Sequence, residues 1–209
     1  MPGQQLPDPS DPDSVGSATF DTRLSYRGTS CPGTSTQCVD DSCGVLQTQL
    51  VQLVPAGTHY FAVHTFYSGT TAGAYGLTYG VYAAASGSNT LITPTPTTGT
   101  AMTFTGTTSG TGRVDPSCTG GGTAPENSYY WLQCPSDSRS YSANTCTGTN
   151  YDSVIYLRLN GASIACNDDG CGYPYSSFTG AASTGAGVVQ LFVDGYSSIA
   201  GNYSCAVTF

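Results

Sequence analysis

Tyr151-Asp-Ser-Val-Ile-Tyr-Leu-Arg158, followed by Ala165-Cys-Asn-Asp-Asp-Gly-Cys-Gly172, is a strand leading to an acidic turn, and the chain writes it twice. The other copy is Phe20-Asp-Thr-Arg-Leu-Ser-Tyr-Arg27 with Gln37-Cys-Val-Asp-Asp-Ser-Cys-Gly44. The match extends further, with Gly57 to Val63 paralleling Gly187 to Val193 and Gly73 to Tyr79 paralleling Gly201 to Val207. A repeat offset of about 130 positions in 209 residues predicts two related modules rather than one large domain.

Composition sets the class. Only 9% of residues are charged, lysine is absent, and abundant Gly, Ser and Thr stand beside 15 tyrosines. That mixture suits short strands and turns, so the expected fold is all-β, in two tandem modules. The predicted layout is a Pro/Asp-rich arm at 1–14, a first module at 15–82, a Thr/Pro/Ala linker at 83–99 and a second module at 100–209. Expected strands in the first module are Ala18–Arg27, Gln47–Val54, His59–Phe66 and Tyr75–Tyr82. In the second they are the stretch around Met102 and Phe104, Ser128–Gln133, Tyr151–Arg158, Val188–Val193 and Tyr203–Phe209. The first module lacks the early strands of the second.

Net charge is −8, and the five arginines form no basic stripe along the sequence, which argues against a nucleic-acid partner. No apolar run approaches the roughly 20 residues that span a bilayer. The first residues lack the basic and apolar regions of a signal peptide, so an exported chain is expected to have lost its signal from this numbering. Nine cysteines argue for disulfides formed in an oxidising compartment, and hence an extracellular or cell-surface location. Zinc is disfavoured, because an acidic pair inside CxxxxC suits a thiolate cage poorly.

The aromatic-Asp-Ser/Thr strand, Ala165-Cys-Asn-Asp-Asp169, Val193-Asp-Gly-Tyr196 and Gly201-Asn-Tyr203 together resemble the bacterial pre-peptidase C-terminal (PPC-like) domain, over about half the chain. The first module is a weaker copy, with His64-Thr-Phe66 in place of Asp-Gly-Tyr and Val39 in place of the asparagine. The resemblance implies an all-β chain of two tandem jelly-roll-like β-sandwich modules, non-catalytic and of a kind found in secreted or surface proteins, some of which hold calcium.

Calcium needs several hard oxygen ligands gathered from neighbouring loops. The candidates are Asp152, Asn167, Asp168 and Asp169 in the second module, and Asp21, Asp40 and Asp41 in the first. The alternative is that these side chains cap turns. No catalytic residues are assigned. The two histidines, His59 and His64, should face opposite sides of a strand, and no HExxH, GxSxG or P-loop occurs. Trp131 and the tyrosines are expected in the core and in cross-strand pairs rather than on a sugar-binding platform.

Spacing pairs Cys38 with Cys43 and Cys166 with Cys171. Cys31 and Cys146, which lack counterparts in the other module, are expected to bond to each other within or between chains. Cys134 and Cys205 are the remaining pair within the second module, leaving Cys118 odd for an intermolecular partner. A truncated module and an unpaired cysteine predict a secreted, non-catalytic structural protein that self-associates into a surface appendage, matrix or filament. The alternative is a polysaccharide- or protein-targeting module of a secreted hydrolase, with calcium as its cofactor.

Overall fold

The computed structural model describes residues 18–31, 34–44, 46–69, 73–119 and 123–209. The predicted 1–14 arm lies outside the described residues. The chain divides into a first unit of Met1–Gly80 with Cys134–Ser136 and a second of Val81–Gln133 with Asp137–Phe209.

The first unit holds β1 (Thr22–Tyr26), β2 (Gln37–Asp40) and β3 (Phe61–Thr65), forming one antiparallel sheet in the order β2-β1-β3. The second unit holds β4 (Asn89–Leu91), β5 (Ala101–Thr107), β6 (Asn127–Gln133), β7 (Ser138–Asn144), β8 (Ser153–Leu159), β9 (Ala162–Asn167), β10 (Ser177–Thr184), β11 (Gly187–Gly195) and β12 (Asn202–Thr208). These make a β-sandwich of a five-stranded sheet, β4-β6-β11-β8-β9, and a four-stranded sheet, β10-β7-β12-β5.

The burial pattern explains the strand sequences. β12 alternates buried and accessible residues, since one face meets the core and the other meets solvent. β8 and β11 read as near-continuous apolar runs because their sheet is covered on both faces. Towards the partner sheet, Ile155, Leu157, Leu191 and Val193 pack with Phe104, Trp131, Tyr141, Tyr203 and Val207. On the opposite face Val154, Tyr156 and Phe192 pack with Ala85 and Val114. Trp131 is fully buried, its indole N–H donating to the Tyr141 hydroxyl at 3.2 Å, so it belongs to the core. The β8–β9 turn is Asn160-Gly161, both at positive φ, the pairing that a two-residue hairpin of this twist favours.

The repeat is real at the level of register. Leu24 pairs with Val39 and Val63, and Ile155 pairs with Asn167 and Val193, which are the residues that the sequence match equates. Ser25 faces Cys38 as Tyr156 faces Cys166. The amide of Phe66 donates to the Asp21 carbonyl at 3.0 Å, and that of Tyr196 to Asp152 at 2.9 Å. The sheet β2-β1-β3 thus reproduces β9-β8-β11.

Several expectations are corrected. The predicted linker 83–99 belongs to the second unit: β4 pairs in parallel with β6, and Ala85 is buried over the outer face of the five-stranded sheet. Gln47–Val54 and Tyr75–Tyr82 are not strands, apart from one bridge between Ala18 and Tyr75. Among the described residues the first unit offers them no second sheet to join. Part of the hydrogen bonding of 47–54 goes instead to side chains, as where Gln49 N–H donates to Ser42 Oγ at 2.8 Å. β7, β9 and β10 escape the sequence reading because their Ser- and Ala-rich sequences carry weak strand propensity.

The disulfides also differ from expectation. They are Cys43–Cys134, Cys118–Cys166 and Cys146–Cys171, with Cα separations of 5.5, 5.5 and 5.6 Å. Neither Cys38–Cys43 nor Cys166–Cys171 forms, because the acidic turn between the two cysteines aims them apart. Cys166 points to the outer face beside Tyr156, whereas Cys171 lies past the turn, next to Ser176. In the first unit Asp41 and Cys43 have φ of 47° and 61°, which turn Cys43 away from the face that carries Cys38. Cys118 is therefore paired, Cys31 is free rather than bonded to Cys146, and Cys205 is free instead of bonded to Cys134. Cys205 faces inward from β12 opposite Phe104, where burial pushes its thiol up to about 12.

Candidate metal centre

An antiparallel hairpin sets the start of one strand beside the end of the next. Asp152 precedes β8 and Asp168-Asp169 follow β9, so the ladder that pairs Ile155 with Asn167 brings the three carboxylates together. One oxygen from each lies within 4.8 Å of the others. The turn is tight: a Cβ on Gly170 would stand 2.3 Å from the Ser177 carbonyl oxygen, so only glycine fits.

Asn167 plays a different part from that expected. Its Oδ1 accepts from the amides of Gly170 at 2.6 Å and Ser177 at 2.9 Å, so it closes the turn instead of joining the carboxylates. Oδ1 of Asp152 and Oδ1 of Asp168 are buried with no hydrogen-bond donor among the described residues. Desolvation first and Asp169 second push the Asp152 carboxyl above the usual range. Asp168 is raised by desolvation, then by Asp169 and Asp152. Convergent hard oxygens that lack donors form a set that suits a calcium-sized cation.

The first unit repeats the arrangement. Asp21, Asp40 and Asp41 bring carboxylate oxygens within 4.8 Å, and Oδ1 of Asp21 and of Asp40 lack donors among the described residues. Asp21 is raised by desolvation, then by Asp41 and Asp40. The histidines engage opposite faces of β1. His59 donates from Nε2 to the Pro55 carbonyl at 2.8 Å and lies 2.8 Å from the Tyr26 hydroxyl, while His64 Nε2 lies 3.0 Å from Ser25 Oγ.

Two functional-looking acids escape the sequence reading. Glu126, the only glutamate in the chain, is fully buried. It accepts from the amides of Ser86 at 2.8 Å, Val114 at 3.1 Å and Arg113 at 3.1 Å, tying down the segments that cover the outer face. Asp194 is buried beside it, accepting from the Tyr156 hydroxyl at 3.2 Å, and burial pushes its carboxyl up to about 7. The rarity of glutamate was the one available signal for the first. For Asp194 it was the Val193-Asp-Gly-Tyr196 pattern.

Fold and site together define a disulfide-braced all-β protein, with one β-sandwich unit and an acidic turn in each unit. Its three disulfides belong to an oxidising extracellular or envelope environment. No protein-family model matches the chain, and no curated protein matches it. It is similar to the solved structure of the pre-peptidase C-terminal domain of a collagenase from Bacillus anthracis, with 12% identity and a TM-score of 0.37, over 57% of this chain and 94% of that one. It is also similar to Aeromonas hydrophila PliG, a periplasmic inhibitor of g-type lysozyme, with 8% identity and a TM-score of 0.34, over 58% and 95% of the two chains. Likenesses at these scores carry no functional argument. Among the described residues no helix is long and apolar enough to cross a membrane.

Proposed function

We propose that this chain is a secreted, non-catalytic structural module that associates with copies of itself, through its first unit, into an extracellular filament or matrix. One observation carries the reading. The face of the first sheet that bears Leu24 and Tyr26 matches the face that the second unit covers with four strands, yet among the described residues the first unit has no second sheet. Leu24 and Tyr26 are its only described large apolar residues that are buried, while Leu46, Phe61, Tyr67, Leu77 and Tyr79 are exposed. Phe61 pairs with Tyr26 in the ladder and is exposed on that same face, where an apolar side chain suits an interaction site. Light scattering of the oxidised protein over a range of concentrations tests the reading. Masses that grow with concentration are expected, and a monomer of 21.4 kDa throughout overturns it.

A second reading, a calcium-dependent targeting module for an extracellular polysaccharide or protein, is favoured by the donor-free Oδ1 atoms of Asp152 and Asp168. Saturating calcium at about 100 times its Kd would then stabilise the fold by about 2.7 kcal/mol. The expected result is a rise in Tm with calcium that Asp168→Asn removes. An equal rise in the variant would assign the effect to other sites.

A further inference from the structure

The first unit ends in a strand sequence that has no sheet. Gly73 to Tyr79 repeats Gly201 to Val207, and the two segments begin alike. The amide of Thr19 donates to the Ala74 carbonyl at 3.4 Å, as that of Asn150 donates to Asn202 at 3.1 Å. A Cβ on Gly73 would stand 2.9 Å from the Phe20 ring, and one on Gly201 would stand 2.9 Å from the Tyr151 ring. Beyond this start they part. Tyr203, Cys205 and Val207 of β12 turn into the sandwich and are 3%, 0% and 3% exposed. Tyr75, Leu77, Tyr79 and Val81 keep the same period of two, yet they are 52%, 51%, 85% and 85% exposed. Residues 76–81 run without helix, turn or bend, and among the described residues they make no backbone hydrogen bond. β12 is held between β5 and β7, and among the described residues the first unit has no counterpart of either neighbour.

The second unit carries the complementary gap. At the two ends of the β5–β12 ladder, Thr108 donates to the Gly201 carbonyl at 2.9 Å and Phe209 to the Thr100 carbonyl at 3.0 Å. Alternate residues of an antiparallel strand bond the same neighbour, so Ala101, Thr103 and Thr105 aim their N–H and C=O groups away from β12, where no described backbone group meets them. Sheet edges ordinarily carry some device against pairing with another chain. β9 is tied to an overlying segment through Cys118–Cys166 and through Ser117 Oγ, which lies 2.8 Å from Ser163 Oγ. β10 has a register shift between Phe178 and Ala181, with Gly180 at a φ of 68°. β4 is only three residues long. β5 has seven residues in unbroken register, with no charge and no proline.

A chain cannot close this gap with its own segment. β5 lies over β6, where Phe104 stacks on Tyr129 with centroids 4.0 Å apart. Tyr82 instead packs on Gly161 in the β8–β9 turn, the Ala83 carbonyl accepts from Gln190 Nε2 at 3.1 Å, and Ala85 is buried on the outer face of the five-stranded sheet. Residues 82–85 therefore cross that sheet on the side away from β5, and the two sheets are themselves roughly 10 Å apart. Val81 is covalently bound to Tyr82, which limits it to about 4 Å from that position.

We propose that residues 76–81 of one copy add as an antiparallel strand to the free edge of β5 in a second copy, widening its four-stranded sheet by one strand. The repeat identifies the occupant, because Gly73 to Tyr79 is a second version of the strand that β5 already pairs with. In the register of that pairing, Leu77 falls opposite Phe104 and Tyr79 opposite Met102, as Cys205 and Val207 do in β12. Gly76, Thr78 and Gly80 then exchange hydrogen bonds with Thr105, Thr103 and Ala101. Neither strand carries a charge, so the net charge of −8 places no like charges in the ladder. Donated segment and receiving edge are different surfaces, so the contact is head-to-tail and propagates into a filament unless it closes into a ring. The assignment rests on self-association through the first unit and names the surface that receives it.

Amide hydrogen exchange, quenched and read at single residues by fragmentation mass spectrometry, tests this on the unaltered chain at low and high concentration. Exchange at Thr103 and Thr105 proceeds through the unpaired fraction, so it should slow about tenfold where about nine-tenths of the chains are associated. The Phe104 amide, already bonded to β12, should be protected at both concentrations. Two variants sharpen the result: Thr78→Pro removes an N–H that the single chain does not use, and Thr103→Pro removes one that faces away from β12. The Thr78→Pro chain alone should leave Thr103 unprotected, and adding the Thr103→Pro chain, whose segment is intact, should restore protection. Association without slower exchange at Thr103 and Thr105 overturns the proposal while leaving self-association standing. A monomer at every concentration overturns both. Protection of Thr103 that the Thr78→Pro chain achieves alone overturns the proposal in favour of two β5 edges pairing with each other. If Thr103→Pro does not fold, the unaltered chain and Thr78→Pro still decide between these outcomes.

Discussion

The sheet β2-β1-β3 and the sheet segment β9-β8-β11 share strand order, ladder register and acidic turn, yet among the described residues only the second has a packed apolar cluster on each face. Ile155 and Leu24 hold matching places, but Ile155 is fully buried between two sheets and Leu24 keeps 9% of its surface. The difference teaches that a repeated strand-and-turn motif specifies pairing and turn geometry while leaving the covering layers to other parts of the chain. Hydrogen-bond register follows from local pleat and turn. Burial depends on what is laid over the pleat.

The largest expected effect that would sharpen this comparison comes from matched truncations. Ile155→Ala should cost about 2–5 kcal/mol, as is usual for an enclosed aliphatic side chain. Leu24→Ala should cost less in dilute protein, and its cost should rise with concentration if copies of the chain supply the missing layer. Urea denaturation of each variant at two protein concentrations measures both. Equal costs, independent of concentration, would break the proposed asymmetry between the units.

A smaller effect is expected from pH. Asp21, Asp152, Asp168 and Asp194 all have raised carboxyl pKa values, with desolvation the first cause in each. A raised acid binds its proton more tightly in the folded state, so stability falls as pH climbs through the unfolded value of 3.8 towards the folded one. For Asp194 the window runs from the ordinary aspartate value of 3.8 to about 7, and its loss is on the order of a few kcal/mol. Metal-free protein should therefore melt at higher temperature in mild acid than at neutrality, and Asp194→Asn should flatten the profile. The first unit has His64 at the equivalent position, so a profile that keeps its slope in this variant would place the titration in the acidic turns rather than in the sandwich.

Much of the fold was legible in the chain itself. The repeat located β1 and β8, and the residues it equates, Leu24 with Ile155 and Val63 with Val193, hold equivalent places in the two ladders. The acidic pairs inside CxxxxC anticipated the convergence of Asp152, Asp168 and Asp169, because a hairpin makes that convergence local. The cysteine pairing was illegible, since proximity in sequence says nothing about the direction in which a turn with positive-φ residues aims a side chain. The role of residues 83–99 was illegible for a related reason. A Thr/Pro/Ala composition reads as linker until a sheet face is there to receive Ala85 and a strand edge to receive β4.

By itself, then, the sequence determined the all-β class and the duplicated strand and acidic turn, which depend on period-two pattern and short-range turn chemistry. Tertiary structure alone decided which cysteines meet and that Glu126 and Asp194 are buried. Those outcomes depend on which distant segments lie over each sheet face, and long-range packing of that kind leaves no periodic mark in the residues it buries.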